Sequence, residues 1–196
     1  MNIQQQQPIN HVVFACGSGG TATGISLGFA LSHIFEKNIE EIPKIHAIGV
    51  CDTPEYFQKE VASVTDEMGF DISSLKKASS STIKAENTLD FIKQILTPHQ
   101  GKGNGYAMST KEELDFISNF AIEAGIVLDP VYSGKALYHF IMHELHEHPN
   151  LYKDSTILFW HTGGSLGLYD KIDLLSSIAK KSSPVTRLDV YGKQLN

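Results

Sequence analysis

The stretch from His11 to Gly24, HVVFACGSGGTATG, constrains the fold more than any other part of the chain. Val12, Val13, Phe14 and Ala15 form a short apolar run with β-branched and aromatic members, the pattern of a buried strand. Gly17, Ser18, Gly19 and Gly20 break that run, and helical spacing resumes from Thr21 to Phe35. A glycine turn from strand into helix aims several backbone N–H groups and the positive end of the helix dipole at one spot, which suits a phosphate. Any tight strand-to-helix turn also needs glycine sterically. The bare turn therefore stands beside the anion site, and three glycines together with Ser18, Thr21 and Thr23 favour the anion site.

The rest of the chain limits what that site can be. With 196 residues and 41% hydrophobic content, the sequence is long enough to bury one core. A net charge of −6 argues against a nucleic-acid surface, and Arg187 is the only arginine. A bound phosphate would thus rest on backbone amides, hydroxyls and a lysine rather than on guanidinium forks. Cys16 and Cys51 both sit in apolar runs, which suggests neither a disulfide framework nor a zinc cluster and fits a reducing, cytoplasmic setting. No apolar run is long enough to span a bilayer, and the start does not read as a secretory signal. Residues 1–10, with the glutamine tract Gln4 to Gln7, read as a disordered leader, 11–182 as one α/β domain and 183–196 as a tail.

Along that domain, strands and helices alternate. Thr21 to Lys37 reads as a helix with Ile25, Phe29, Leu31 and Ile34 on its apolar face. Lys44 to Cys51 reads as a second strand, and Pro54 to Met68 as a helix with proline in its first turn. Asp71 to Thr82 is serine-rich and reads as loop. Ile83 to Leu96 reads as a helix followed by the glycine-broken loop Gly101 to Gly105. Ser109 or Thr110, with Glu112 or Glu113 three residues on, signals a capping box that opens a helix stopping at Gly125. Ile126 to Leu128 reads as a strand, Lys135 to His146 as a helix and Ser155 to His161 as a strand. The last helix opens at Gly163-Gly164 and runs to about Lys181. Such alternation predicts an α/β fold with a mostly parallel sheet, flanking helices and ligands at the carboxyl ends of the strands. Three of those ends carry unusual residues: Gly17–Thr23, Asp129–Gly134 and His161–Gly164.

Other constellations point elsewhere. His139, His143 and His146 share a helix, but HELHEH has Glu147 where a zinc helix would place its second histidine. An exposed helix end and no metal is the better account. Gly134-Lys135-Ala136 lacks the hydroxyl residue and the spaced glycine of a Walker loop. Gly17 to Ala22 does satisfy G-x-G-x-x-G/A, and Asp52 closes the next strand, so a nicotinamide-binding Rossmann domain competes.

Four blocks carry a resemblance: HVVFACGSGGTATG, GYAMST (Gly105 to Thr110), LDPVYSGKA (Leu128 to Ala136) and FWHTGGSLGLYDK (Phe159 to Lys171). In that order they resemble the D-cysteine desulfhydrase and 1-aminocyclopropane-1-carboxylate deaminase family, pyridoxal-phosphate enzymes of the tryptophan synthase β fold (fold type II). The resemblance runs from about residue 11 to about 172 and implies the back part of such an enzyme's large domain. It implies a cofactor phosphate held by Gly17, Ser18, Gly19, Gly20 and Thr21. It also implies that Tyr106 and Tyr132 approach the substrate and the pyridine ring, that Ser133 meets the ring nitrogen and that Thr162 lines the substrate side. The family's Schiff-base lysine, the residue bonded to the cofactor's phenolic oxygen and the serine that handles the substrate carboxylate lie before the glycine loop. The family does not use the position of Lys135 for the Schiff base, so no lysine here is expected to be catalytic.

The resemblance further implies a small amino-acid substrate and a homodimer, and an organellar signal could lie on the preceding part. Deaminases of the family put Glu after the Tyr of D-P-V-Y and Leu in H-x-G-G, where this chain has Ser133 and Thr162. A neutral hydroxyl withdraws fewer electrons than a carboxylate-held pyridinium, which suits β-elimination of sulfide better than opening a cyclopropane. The expectation is a desulfhydrase-like lyase, inactive as these residues alone. The nicotinamide domain and a non-catalytic truncated relative are the alternatives.

Overall fold

The computed structural model describes residues 8–35, 42–73 and 84–171, with 173 and 175. The glutamine tract, most of the Asp71–Thr82 loop, the tail from 183 and the last helix beyond 175 lie outside the described residues.

Strand β1 (His11–Cys16) is buried at every position, as a strand covered on both faces must be. It pairs in parallel with β2 (Lys44–Gly49) on one side and β4 (Ile157–Phe159) on the other. β3 (Leu96–Gln100) pairs in parallel with β2, giving the order β3-β2-β1-β4. Val12, Phe14 and Cys16 face α1 (Gly20–Phe35), α2 (Pro54–Glu67) and α3 (Thr88–Ile95). Val13 and Ala15 face the other way, onto Ala136, Phe140 and Tyr152. A parallel sheet with helices on both faces is thus present among the described residues.

Several elements differ from the sequence expectation. The buried face of α1 is Ala22, Thr23, Ser26, Leu27 and Ala30, mostly small residues, with Ile25 and Phe29 at its margin. The helix before the glycine loop ends at Ile95, and Leu96 passes straight into β3 with no turn between them. Pro98 is tolerated there because β3 is an edge strand among the described residues. Ile126 to Leu128 is not a strand: its stretch finds no ladder partner among the described residues, and only Leu128 is buried. Helix α4 (Lys111–Ala124) does carry the full capping box between Thr110 and Glu113 and stops at left-handed Gly125. Helix α5 spans Ser133–His139 and widens into a π-turn over Phe140–Leu145. After Gly164 the chain winds as a 3-10 helix over Ser165–Lys171 rather than an α-helix.

Candidate functional site

The turn after β1 is built so that its carbonyls point away from solvent. The Cys16 carbonyl accepts from Val50 N at 3.0 Å, and the Gly17 carbonyl accepts the Cys51 thiol at 3.2 Å. The Gly19 carbonyl takes both Thr23 N at 2.8 Å and Thr23 Oγ1 at 3.1 Å. That bond from Thr23 is the first of helix α1, which leaves the amides of Gly20, Thr21 and Ala22 without helical acceptors. No carboxylate stands in the first turn to occupy them. Gly19 lies at φ +87°, and a Cβ there would stand 3.1 Å from Glu60 Cγ, so the turn needs glycine at that point.

Two further loops close over this turn. Asp129 is fully buried, and its carboxylate accepts Val131 N, Tyr132 N, Ser133 N and the Ser133 hydroxyl at 2.6–2.9 Å. That cap forces the sharp turn into α5 and sets the direction of Tyr132. The Tyr132 ring lies so close to Gly17 that a Cβ there would meet it at 3.0 Å. From the third loop, Gly164 at φ +97° packs on Asp129, where a Cβ would come within 2.7 Å of Oδ1. The result is a cavity of about 360 Å³ lined by Cys16, Gly17, Ser18, Thr21, Tyr132 and Thr162 among others.

The Tyr132 hydroxyl shares a 2.6 Å hydrogen bond with that of Tyr106, which stands at the exposed rim. This bond, and then burial, pushes the Tyr132 phenol up to about 12. Burial likewise pushes the Cys16 thiol up to about 12, against a hydrogen bond from the Gly19 backbone. The thiol stays neutral and is not a nucleophile in the physiological range. What the cavity offers is a helix N-terminus at its floor and a protonated phenol at one wall.

The sequence matches the pyridoxal-phosphate dependent enzyme family over residues 1–163. The chain belongs to that family. It is 40% identical over 188 residues to a bifunctional D-cysteine desulfhydrase/1-aminocyclopropane-1-carboxylate deaminase, mitochondrial, of Arabidopsis thaliana; the match covers 93% of this chain and 40% of that protein. A putative 1-aminocyclopropane-1-carboxylate deaminase of Thermotoga maritima is 27% identical over 81% of this chain and 42% of its own length. The crystal structure of an ACC deaminase homologue superposes with a TM-score of 0.64 at 26% identity, over 90% of this chain and 46% of that one. The chain therefore spans less than half the length of these relatives. Its α/β fold with a parallel sheet is the fold the resemblance implied. The family match does not favour the nicotinamide alternative. Asp52, which a dinucleotide site would want at the strand end, accepts the Thr53 amide at 2.8 Å.

The cavity suits the family's cofactor: amides without helical acceptors at a helix N-terminus and hydroxyls at Ser18 and Thr21 fit a phosphate. Among the expected site residues, the structure gathers Gly17, Ser18, Gly19, Thr21, Tyr132 and Thr162 around this one cavity. Gly20 is exposed at the first turn of α1 with nothing within 4 Å of its missing Cβ. Tyr106 reaches the site through Tyr132. Ser133 is 2% exposed beneath the cavity, its hydroxyl held by Asp129 and accepting Asp129 N at 2.9 Å. The sequence marks Asp129 as the start of a site loop and Cys51 as a strand thiol, but not that they position the loops. An aspartate directly before Pro130, at the opening of a turn, was the available signal for the first.

His139 and His143 stack with ring centroids 5.2 Å apart, but each is bonded to a different carboxylate. His139 Nε2 is bonded to Glu113 at 2.8 Å, His143 faces Glu147 at 3.1 Å, and Glu144 between them reaches His99 at 2.7 Å. Lys135 is completely buried and bonded, so it is not placed to reach the cavity.

Proposed function

We propose that this chain carries the cofactor-binding part of a D-cysteine desulfhydrase-like lyase, which eliminates sulfide from a small amino acid to leave pyruvate and ammonia. The observation that supports it most is the cradle: the amides of Gly20, Thr21 and Ala22 are left without helical acceptors while the neighbouring carbonyls are bonded elsewhere. Bound pyridoxal phosphate supplies an electron sink next to the α-carbon of the substrate. The Gly17–Thr21 loop and the first turn of α1 hold its phosphate through those amides, and Ser18 and Thr21 add hydroxyl donors. Tyr132 Oη keeps its proton across the neutral range and offers it on the substrate side, with Tyr106 as its partner. Thr162 lines the same side.

Ser133 is assigned to the ring nitrogen, where its Oγ exchanges the bond to Asp129 for the ring. A neutral oxygen at that position leaves the nitrogen unprotonated, and sulfide is a good enough leaving group not to need more withdrawal. Ser133 and Thr162 therefore favour the desulfhydrase half of the name borne by the Arabidopsis protein. The assembly we assign is a homodimer. A cytoplasmic setting rests on the two free thiols, Cys16 and Cys51, although the Arabidopsis relative is named mitochondrial.

Two preparations test the proposal together. The 196-residue chain with pyridoxal phosphate and D-cysteine is expected to release no sulfide, because no lysine among the described residues lines the cavity. A chimera in which residues 11–171 replace the matching part of the Arabidopsis protein is expected to release sulfide and pyruvate from D-cysteine. Sustained sulfide release from the chain alone, abolished by a Lys135→Ala change, would overturn the assignment. So would a chimera that prefers 1-aminocyclopropane-1-carboxylate, or a chain that binds NAD more tightly than pyridoxal phosphate.

A further inference from the structure

Lys135 is the most deeply placed cation among the described residues, with no exposed surface. Its ammonium has three hydrogens and uses them all. One goes to the Lys102 carbonyl at 3.0 Å, one to the Met108 carbonyl at 2.9 Å and one to the Glu113 carboxylate, at 2.9 and 3.1 Å from its two oxygens. The two carbonyls bracket Tyr106 on either side.

The bracketed loop makes two turns on its own backbone, Gly105 N donating to the Lys102 carbonyl at 3.1 Å and Met108 N to the Gly105 carbonyl at 3.2 Å. Gly103, Gly105 and Ala107 all have positive φ, at +57°, +144° and +57°, and Ala107 is not a glycine. Such a backbone persists only where its surroundings fix it. Here the ammonium adds a side-chain bond to the carbonyl at each end of those two turns. A Cβ on Gly103 would lie 3.0 Å from both Lys135 Nζ and Glu113 Oε1, so the loop backbone rests directly on the ion pair.

At its other end Lys135 belongs to the first turn of α5, one turn beyond Tyr132, with Ala136 N bonded to the Tyr132 carbonyl at 2.8 Å. One side chain therefore joins the helix start that carries Tyr132 to both ends of the loop that carries Tyr106. Glu113 completes the clamp. Its Oε2 accepts Thr110 N at 2.8 Å, and its Oε1 accepts from His139 Nε2 at 2.8 Å. Burial alone would raise that carboxyl, but the hydrogen bonds from His139, Lys135 and Thr110 outweigh it and hold it below the usual carboxylate range.

We propose that Lys135 is a positioning residue: clamped between Glu113 and the carbonyls of Lys102 and Met108, it sets the Tyr106 hydroxyl against Tyr132 at the rim of the cavity. The functional weight of the pair rests on the lyase proposal, but its geometry does not. Lysine is suited to the position because it projects three divergent donors from a slim apolar stem, where methionine would match the stem and donate nothing.

The reporter is Tyr132 itself, whose phenol faces Tyr106, Cys51 and Asp129. The 196-residue chain labelled with tyrosine ¹³Cζ gives one resonance for each of seven tyrosines, and Tyr106→Phe and Tyr132→Phe assign the pair. In the unaltered chain the Tyr132 signal should stay in its protonated position past pH 10, the ordinary tyrosine midpoint. In Lys135→Met it should titrate about one pH unit or more lower, at the midpoint seen in Tyr106→Phe, with the circular dichroism of the fold retained. If the single change leaves Glu113 too exposed to its own charge to fold, Lys135→Met with Glu113→Gln removes both charges, and the same shift is expected there. A folded variant whose Tyr132 titrates as in the unaltered chain would overturn the role of Lys135. No cofactor enters the measurement, so loss of the lyase proposal and loss of this one give different results.

Discussion

At the scale of single residues, Gly19 and Gly20 serve different ends although they are neighbours. Gly19 is required by its own backbone at φ +87°, and any side chain there is strained and meets Glu60. Gly20 has open space around it, so a side chain there is accommodated without a clash in the fold. Gly20→Val is therefore the cleaner probe. It should weaken pyridoxal phosphate binding roughly tenfold, about the loss of one hydrogen bond to a charged group, while the thermal midpoint stays where it was. Equal affinity in the variant, measured by fluorescence titration, would show that the phosphate does not sit on these amides. Gly134 shows a third use. A Cβ there would stand 2.6 Å from the Asp129 carbonyl and 2.5 Å from Ile117, so the residue permits close packing of α5. Sequence alone shows only that glycine is present, not which of these needs it serves.

At the scale of elements, three strands share a polar row on one face of the sheet. His11 Nδ1 meets His46 Nε2 at 3.0 Å, His46 Nδ1 meets His99 Nε2 at 2.8 Å, and His99 Nδ1 meets Glu144 at 2.7 Å. Tyr152 leans on the first two rings, and Lys44 lies near enough to oppose a proton on either. Burial, then His99, His11 and Lys44, lower the His46 titration to about 3, and burial and Lys44 lower that of His11. Below the ordinary midpoint of about 6.5 the unfolded chain binds a proton that folded His46 refuses. Stability is therefore full above pH 6.5 and falls steadily toward pH 3, by about 2 kcal/mol at pH 5 from His46 alone. The thermal midpoint should drop between pH 7 and pH 5 and drop less in His46→Gln. An equal drop in both would contradict the burial of a neutral His46.

This row was not legible in the sequence, because its members lie 35 and 53 residues apart and meet only through sheet register. The strands that hold it were partly legible. β1 and β2 are continuous apolar runs, whereas Leu96 extends the helical spacing of Phe91, Ile92 and Ile95 and Pro98 argues against any strand. Ile126 to Leu128 shows the reverse, an apolar triplet without a ladder among the described residues. For the site, the three loops could be read from their glycines and hydroxyls. The pairs that join them, Lys135 with Glu113 and Gly164 with Asp129, could not, since nothing local marks a partner 22 or 35 residues away.

At the scale of the whole molecule, the described residues form a parallel sheet whose loops line one cavity at the start of α1. No helix among them is long and apolar enough to cross a membrane. The central claim is that the chain holds the phosphate of pyridoxal phosphate on the amides that open α1. Amide ¹H–¹⁵N spectra of the 196-residue chain, titrated with pyridoxal phosphate, inorganic phosphate and pyridoxal, test it most directly. The amides of Gly20, Thr21 and Ala22 should shift downfield with the first two ligands and stay unmoved with pyridoxal, which lacks the phosphate. Shifts of equal size with pyridoxal, or shifts that leave those three amides untouched, would contradict it.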